Sequence, residues 1–342
     1  MKYKLSDVVD RINGNVDRFT TSLEYYVGGE HFESNELEIT GCGLIKPNVN
    51  ILGFKFHFAF QPGDVLYMAR NPHLRKAGMV NFSGICSDAS YILRTKDSNV
   101  LCQEYLAVIM QSNHLWDYCE SHKVGSVNFA INWKTLANYE FDLPDINIQR
   151  SIANRIWAAY RVKQAYKKLI SATDEMVKSR FIEWFGDMKY LTSDKTMSDF
   201  FDMKAGQSIT AENIIATYDL ELFPCYGGNG LRGYVTHYTH EGHYCLIGRQ
   251  GALCGNVNLT DGKFFATEHA IVVTPKININ TYWLFFALSE MNLNRFARGV
   301  AQPGLSVKQL ETIPFSIPPT EEQDSFERLY RQADKSKYYK LN

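Results

Sequence analysis

The longest helical pattern of the chain lies over residues 148–185. Its apolar positions recur at alternating steps of three and four residues, close to the spacing of a coiled coil, and lysine or arginine fills many positions between them. No proline or glycine interrupts the run before Gly186. At a rise of about 1.5 Å per residue, such a helix would be about 57 Å long. The pattern therefore predicts one long central helix.

Shorter patterns on both sides of this helix predict mixed α/β structure. Apolar runs bounded by glycine and proline turns predict strands over residues 54–58, 65–68, 89–93, 244–247 and 270–273. Helical spacing predicts further helices over residues 103–119 and 281–296.

A final helix is predicted over residues 321–341. Thr320 stands where a helix cap is expected, and Gln323 occupies the capping-box position after it. An apolar stripe on this helix fits antiparallel packing against the central helix; its residues are Phe326, Leu329, Tyr330 and Ala333. Because the final helix is only slightly more than half as long as the central one, part of the central helix is left without a partner in this chain.

The two halves of the chain repeat each other at matched landmarks. Residues 4–14 resemble residues 196–206, at an offset of 192. Later landmarks recur at an offset of 174: Lys134, Leu136, Phe141, Pro144 and Gln149 match Lys308, Leu310, Phe315, Pro318 and Gln323. Two halves that share these landmarks but differ in the residues between them predict two similar tasks on two different targets.

Together these patterns predict an α+β protein with two similar mixed α/β domains, separated by long antiparallel, coiled-coil-like helices. The expected boundaries are 1–147 for the first domain, 148–190 for the central helix, 191–319 for the second domain and 320–342 for the short final helix.

Composition and charge narrow the class of protein. An apolar content of 45% with 13% aromatic residues argues against disorder. No apolar run is long enough to span a bilayer, the N-terminus lacks a signal-peptide pattern, and the seven cysteines are scattered. We therefore expect a cytoplasmic protein with reduced thiols and no membrane partner. Residues 148–189 carry nine Lys/Arg against four Asp/Glu, whereas both flanking regions are slightly acidic. The chain is thus not a uniformly basic nucleic-acid protein. If it binds DNA, the contacts would come from local basic and polar loops and from this basic segment.

The sequence contains none of the common catalytic motifs for which it was searched. No phosphate-binding loop, methyltransferase motif or nucleophile elbow is present, and no cofactor is expected. His237, His240 and His243 form a series that would suit a metal-dependent hydrolase, although a glycine within the run argues against a single focus for all three side chains. No metal site is therefore predicted, and the hydrolase is kept only as an alternative.

Polar residues after strand-like runs offer a different chemistry, since Arg, Asn and Gln form paired hydrogen bonds with base edges in the major groove. Arg70-Asn71 and Arg249-Gln250 occupy corresponding places in the two halves. The full set of candidate DNA-contacting residues is Arg70, Asn71, His73, Arg75, Lys76, Asn128 and Lys134 in the first half, and Tyr226, Asn229, Arg232, Arg249, Gln250, Gln302 and Lys308 in the second. A scaffold whose repeats bind proteins instead of DNA remains a second alternative.

The whole chain resembles the specificity (S) subunit of type I restriction-modification systems. The strings that carry the resemblance are FPCYGGNGLRGY at 223–234, LIGRQG at 246–251, FATEHA at 265–270, QPGLS at 302–306 and IPPTEEQ at 317–323. The two-copy organisation adds weight, because the family has two target-recognition domains separated by helices.

The resemblance implies a non-catalytic subunit that reads a bipartite target in double-stranded DNA, one half with each domain. It further implies two methyltransferase (modification) subunits docked on the helical spacer and a motor-nuclease (restriction) subunit for cleavage. From the uneven helix lengths, we expect Ile152, Ile156 and Trp157 to form an exposed patch that a methyltransferase subunit or a second copy of the chain covers.

Overall fold

A computed structural model of the chain describes residues 2–45, 52–126, 128–251, 253–299 and 303–334. The chain divides into two compact units, Met1–Tyr166 and Lys167–Asn342. The division falls inside the long central helix, so each unit consists of one mixed α/β domain and one part of that helix.

The first unit contains short strands and helices. The strands are β1 (Lys2–Lys4), β2 (Val9–Ile12), β3 (Tyr25–Val27), β4 (Gly43–Leu44), β5 (Phe56–Phe60), β6 (Val65–Met68), β7 (Ala77–Met79), β8 (Gly84–Ser87), β9 (Ser90–Thr95) and β10 (Glu140–Asp142). The helices are α1 (Leu5–Val8), α2 (Gln103–Ile109), α3 (Asn113–Ser121) and α4 (Trp133–Ala137).

Two four-stranded sheets organise this unit. One is antiparallel with the order β2-β9-β6-β7, and the other has the order β4-β3-β8-β5 with β3 parallel to β8; β1 and β10 form a separate pair. All four residues of β6 are buried, because both faces of its sheet are covered. Val65 and Tyr67 pack in the core formed with the helices, where Tyr67 stacks on Trp116 at 5.3 Å between ring centroids. Leu66 and Met68 face the smaller core formed with the second sheet.

The central helix, α5, runs without interruption over Ile146–Phe185, a length of 40 residues. It begins two residues before the predicted start and ends where predicted, so the prediction of one long helix is confirmed. Within its middle section, Arg161, Val162 and Tyr166 are exposed.

The second unit repeats the architecture of the first. Its strands are β11 (Phe201–Ala205), β12 (Phe223–Gly227), β13 (Gly230–Val235), β14 (His240–Glu241), β15 (Tyr244–Gly248), β16 (Val257–Thr260), β17 (Lys263–Ala266) and β18 (Ala270–Pro275). Its helices are α6 (Met197–Phe200), α7 (Thr281–Glu290), α8 (Val307–Glu311) and α9 (Thr320–Asp334). The sheet orders β11-β18-β15-β16 and β13-β12-β17-β14 match those of the first unit strand for strand, including one parallel pair, β12 with β17.

Equivalent hydrogen bonds confirm the predicted repeat. The ammonium group of Lys96 donates to the carbonyl of Ser6 at 2.7 Å, and that of Lys276 donates to the carbonyl of Ser198 at the same distance. Each lysine also pairs with an aspartate two residues beyond the first short helix of its domain, Asp10 or Asp202. The two domains therefore share one backbone frame, as the matched landmarks predicted.

Two of the other predicted helices are interrupted. The single helix expected over 103–119 is wrong: α2 ends at Ile109, and a new helix begins because the hydroxyl of Ser112 caps it by accepting a hydrogen bond from the backbone N–H of Leu115. The helix expected over 281–296 ends at Glu290, because Asn292 adopts a left-handed conformation (φ 51°) before a 3₁₀ turn over Leu293–Phe296.

The final helix starts one residue earlier than predicted, and Thr320 is its first residue and not its cap. Gln323 makes no capping box; its side chain is buried and bonded to the backbone of other segments. Residues 335–341 of the predicted helix lie outside the described residues. Phe326 packs on Phe181 and Phe185, at 5.1 and 5.9 Å between centroids, while Tyr330 and Ala333 lie beside the earlier residues 174–178. The predicted antiparallel packing against the central helix is therefore confirmed within the second unit.

None of the helices in the described ranges combines the length and the apolar character that crossing a membrane requires.

Candidate nucleic-acid interface

In the first domain, two loops meet beside the end of β6. Arg70 forms a β-bridge with Ala130, and the backbone N–H of Asn71 donates to the carbonyl of Phe129 at 2.7 Å. These bonds hold Arg70 and Asn71 close to the segment that contains Asn128. The side chains of Arg70 and Asn128 are exposed, so this edge can offer a guanidinium and a carboxamide group to a ligand.

The turn after Asn71 is partly occupied by contacts within the domain. The guanidinium of Arg75 donates to the side-chain oxygen of Asn113 at 2.7 Å, and the ammonium of Lys76 donates to the carbonyl of Gly29 at 2.7 Å. Of the three predicted residues in this turn, His73 is exposed, whereas Arg75 and Lys76 are half-buried. Arg75 and Lys76 therefore stabilise the loop, which leaves Arg70 as the cation with greater freedom to meet a ligand.

In the second domain, two loops meet in the same way beside the end of β15, but the equivalent residues are shifted by one position. Gln250 bridges to Gly304, and the N–H of Gly251 donates to the carbonyl of Pro303 at 3.0 Å. Gln250 is therefore the equivalent of Arg70, so the pairs Arg70-Asn71 and Arg249-Gln250 lie at corresponding places but are shifted by one residue relative to each other. The sequence alone hid this shift because both pairs follow similar apolar strands.

Asn229, Arg232 and Gln250 come together around one cavity of about 330 Å³, which is also lined by Gly228, Gly251 and His269. Asn229 is at the turn between β12 and β13, and Gly230 after it has a φ of +98°, a conformation that favours glycine. A side chain at Gly227 would meet the Arg232 side chain at 2.5 Å, so this glycine lets the arginine lie across β12. The cavity thus gathers a guanidinium and two carboxamide groups on one surface.

Two arginines lie at this cavity or beside it, Arg232 in its lining and Arg249 next to Gln250 in the chain. Within the described ranges, neither Arg232 nor Arg249 forms a side-chain hydrogen bond or an ion pair. Arg249 is half-buried and Arg232 is exposed. Unpaired guanidinium groups beside carboxamides are suited to an anionic or acceptor-rich ligand, as base edges and phosphates are.

The remaining predicted residues of the second domain differ in role. Tyr226 is half-buried with its ring 6.0 Å from that of Phe264, and burial raises the pKa of its hydroxyl. Its ring therefore belongs mainly to the packing of the second sheet. Lys308 is exposed on α8 at the position that Lys134 occupies on α4. Gln302 lies outside the described residues.

The three histidines of the alternative metal site have separate environments. His237 meets the edge of Phe265, His240 stacks on Phe264 at 5.3 Å, and His243 is 3.4 Å from Asp261. Burial lowers the pKa of His240. Among the residues that the structure describes, no group of three or more His, Cys, Asp or Glu side chains could hold a metal ion.

The patch expected at the start of α5 is partly covered by the first domain. Ile152, Ile156 and Trp157 are each half-buried, and the indole N–H of Trp157 donates to the carbonyl of Glu104 at 3.1 Å. The expectation that Trp157 is exposed is wrong, because its ring packs on the main core of the domain. Large exposed apolar side chains lie further along the helix, at Val162, Tyr166 and Leu169.

His269 was missed by the sequence patterns, although it lines the same cavity as Asn229 and Gln250. Arg298 was missed as well. Its backbone N–H donates to the carbonyl of Gly304, the residue that bridges to Gln250. Arg298 follows a 3₁₀ turn and not a strand, and His269 lies in the turn between β17 and β18.

Comparison with known proteins agrees with this architecture. The family model of the type I restriction modification DNA specificity domain matches residues 1–171 and 192–327. The S subunit of a type I restriction-modification system from M. genitalium superimposes with a TM-score of 0.65 at 16% identity, over 99% of this chain and 91% of that one. At this level of identity the similarity concerns the fold.

Two curated relatives are similar over shorter segments. The type I restriction enzyme EcoprrI specificity subunit of Escherichia coli is 49% identical over 130 residues, which is 38% of this chain and 32% of the relative. A putative type I restriction enzyme specificity subunit of Haemophilus influenzae is 36% identical over 99 residues, or 28% of this chain and 26% of the relative. The aligned segments thus span about a third or less of these relatives. With two copies of the family's domain covering most of its length, the chain belongs to the family of type I restriction modification DNA specificity domains.

Proposed function

We propose that this chain is a specificity subunit that reads a bipartite sequence in double-stranded DNA and directs type I methyltransferase and restriction subunits to it. Each domain reads one half of the target with the loops that meet beside β6 or β15. The chain supplies recognition and no catalytic group, needs no cofactor of its own, and acts in the cytoplasm.

The proposal rests on one observation: the two domains share the same backbone architecture but expose different side chains on it. The contacts that build each domain are the same in both copies: Lys96 and Lys276 donate to equivalent carbonyls, and the side chains of Gln149 and Gln323 accept from the backbone N–H of Cys102 and Asn280. The edge formed by the loops that meet beside β6 or β15 is called the reading edge. Its exposed groups differ between the domains, since Arg70 in one occupies the place of Gln250 in the other. A protein with one target would have no need of different reading groups on equal frames, whereas a target with two unlike halves requires them.

The central helix is the proposed docking element for the partners. Its predicted role is to carry two methyltransferase subunits, with a motor-nuclease subunit joining for cleavage. The exposed residues Val162, Tyr166 and Leu169 follow each other at steps of four and three, which is the spacing of a helix-to-helix seam. Ile152 and Ile156, which are half-buried, extend the proposed interface toward the first domain.

Mapping of methylated bases in the host genome, with and without the gene for this chain, tests the function. We expect one bipartite motif to lose its methylation when the gene is deleted and to regain it on complementation. A methylation pattern that is unchanged by deletion would contradict the proposal.

Exchange of residues 195–317 for those of a relative serves as the matched control. The exchange is expected to change one half of the motif and leave the other as it was. A change in both halves would show that the two domains do not read independently.

A further inference from the structure

The two copies place different side chains at equivalent points of the backbone beside the reading edge. In the second domain, the N–H of Arg249 donates to the carbonyl of His269 at 2.9 Å. In the first domain, the N–H of Ala69 donates to the carbonyl of Ala89 at 2.8 Å. Because both bonds join the end of the same strand to the same turn, Arg249 and His269 are the counterparts of Ala69 and Ala89.

Equivalent backbone hydrogen bonds identify a third pair of counterparts. Arg298 and Gly304 exchange two backbone hydrogen bonds of 2.9 and 2.8 Å, and Val124 and Ala130 exchange two of 2.8 and 2.9 Å. Arg298 is therefore the counterpart of Val124. At all three positions, the second domain carries a side chain that is cationic or can become so, where the first domain carries an apolar one.

These three positions lie close to each other in the second domain. The carbonyl of Arg249 accepts a hydrogen bond from Leu305 at 2.8 Å, next to Gly304, whose own backbone pairs with Arg298. His269 lines the cavity that contains Arg232 and Gln250, and its ring nitrogen is 3.4 Å from the carboxylate of Glu268. In the part of the chain that the structure describes, the guanidinium groups of Arg249 and Arg298 have no hydrogen-bond or ion-pair partner.

We infer that Arg249, His269 and Arg298 form a donor set that reads guanine in the half-site of the second domain. This inference rests on the function proposed above. Guanine presents two acceptors, O6 and N7, in the major groove, and paired hydrogen bonds from arginine to these atoms are the commonest specific contact between protein and DNA. The first domain has no such donors at the equivalent positions, where Ala69 is buried, Ala89 is half-buried and Val124 is exposed.

A comparison with the lysines separates base contacts from phosphate contacts. Phosphates are the same in every sequence, so residues that bind them can be kept in both domains. Lys134 and Lys308 are kept in both domains, since they occupy the same exposed place on α4 and α8. The donor set differs between the copies, as is required of groups that distinguish one half-site from the other.

The first domain also supplies the substitutions for the test. Arg249→Ala, His269→Ala and Arg298→Val install the residues of the first copy on a backbone frame that already accommodates them. Arg249→Lys keeps the charge and removes the paired donor geometry. Lys308→Ala is the control for a contact to phosphate. All variants are assembled with the methyltransferase subunits and measured for binding to the target found by methylation mapping.

The decisive probe is DNA in which single guanines of the second half-site are replaced by 7-deazaguanine, which lacks the N7 acceptor. We expect one such replacement to weaken binding of the wild-type complex by roughly 5- to 150-fold. The same replacement is expected to have little further effect on Arg249→Ala, which has no donor left to meet N7, whereas Arg249→Lys, whose ammonium still donates to N7, is expected to keep part of the sensitivity. Lys308→Ala is expected to weaken binding equally on modified and unmodified DNA.

Several results would overturn the inference. These are a second half-site without guanine on either strand, a wild-type complex that is insensitive to 7-deazaguanine, or donor-set variants that lose affinity equally for all DNA sequences. Failure of the proposed function is a different result, since the wild-type complex would then show no preference for any bipartite DNA.

Discussion

The side-chain carbonyl of Gln149, near the start of the central helix, accepts a hydrogen bond from the backbone N–H of Cys102 at 3.2 Å. The amide group of the same residue donates to the carbonyls of Val100 and Pro144 at 2.8 and 2.9 Å. In the second copy, Gln323 accepts from the N–H of Asn280 at 2.9 Å and donates to the carbonyl of Pro318 at 2.8 Å. Each glutamine thus links the first turn of its helix, α5 or α9, by hydrogen bonds to the domain that precedes that helix in the chain.

Loss of either glutamine side chain is expected to destabilise its own unit. Gln149 and Gln323 are 0% and 1% exposed, so replacement by alanine leaves buried backbone groups without a partner. We expect Gln149→Ala and Gln323→Ala each to lower the free energy of unfolding by about 1–3 kcal/mol. Urea denaturation followed by fluorescence measures this change. Gln332→Ala, at an exposed position on α9, is the matched control and is expected to change stability by less than about 0.5 kcal/mol.

The long elements were predictable from the sequence because their patterns are long. Forty residues of α5 leave little freedom in placing the helix, whereas the short run 65–68 coincides with β6 because all four of its apolar residues are buried. The break between α2 and α3 was missed, since it depends on one hydrogen bond of Ser112. Local spacing cannot show such a cap until the neighbouring turn is known.

The candidate site could be predicted only in part. Asn229, Arg232 and Gln250 were found because they stand in or beside glycine-rich turns, and the fold brings them to one cavity. The equivalence of Gln250 with Arg70 depends on backbone pairing across distant segments, which the one-dimensional pattern does not contain. The burial of Trp157 was not predicted for the same reason, because the residues that bury its ring belong to the first domain and not to a neighbouring turn of its own helix.

Thiol chemistry offers a test of the burial pattern. Burial raises the pKa of the Cys86 thiol to about 12 and that of Cys119 to about 11, whereas Cys42 is exposed. A raised pKa keeps a thiol protonated below that value, and the protonated form is the less reactive one. At pH 8 we therefore expect a thiol-specific dye to react rapidly with Cys42 and slowly with the other cysteines.

The control for this experiment is Cys42→Ser. The variant is expected to lose the rapid phase while keeping the slow reaction, and all seven cysteines of the wild-type chain are expected to react in denaturant. A rapid phase that persists in Cys42→Ser would contradict the assignment of the exposed thiol.

Residues of the central helix are expected to divide into structural and partner-binding groups. Trp157→Ala removes a half-buried ring from the core of the first domain, and we expect a loss of about 2 kcal/mol in its stability, roughly half the cost for a fully buried ring. Val162→Asp changes a side chain that is 55% exposed, so folding should be unaffected. Its expected effect is weaker assembly with methyltransferase subunits, because exposed apolar stripes mark interfaces.

Size-exclusion chromatography with light scattering measures this assembly, and thermal unfolding of the isolated chain measures stability. Lys168→Asp, an exposed charge reversal away from the apolar stripe, is the comparison for Val162→Asp. Equal assembly of Val162→Asp and wild type would place the interface elsewhere on the chain.

The length of the central helix is expected to determine the gap between the two halves of the DNA target. Deletion of residues 170–176 removes seven residues, leaves Val162, Tyr166 and Leu169 in place, and shortens the helix by about 10 Å at 1.5 Å per residue. Seven residues are one repeat of the coiled-coil spacing, so the apolar positions on both sides of the deletion stay in phase. At about 3.4 Å per base pair, we expect the preferred gap to contract by roughly three base pairs while the bases read in each half remain the same. Methylation mapping of a strain that carries the deletion measures both quantities. A motif with an unchanged gap would show that the helix does not act as the spacer, since neither reading domain is altered by the deletion.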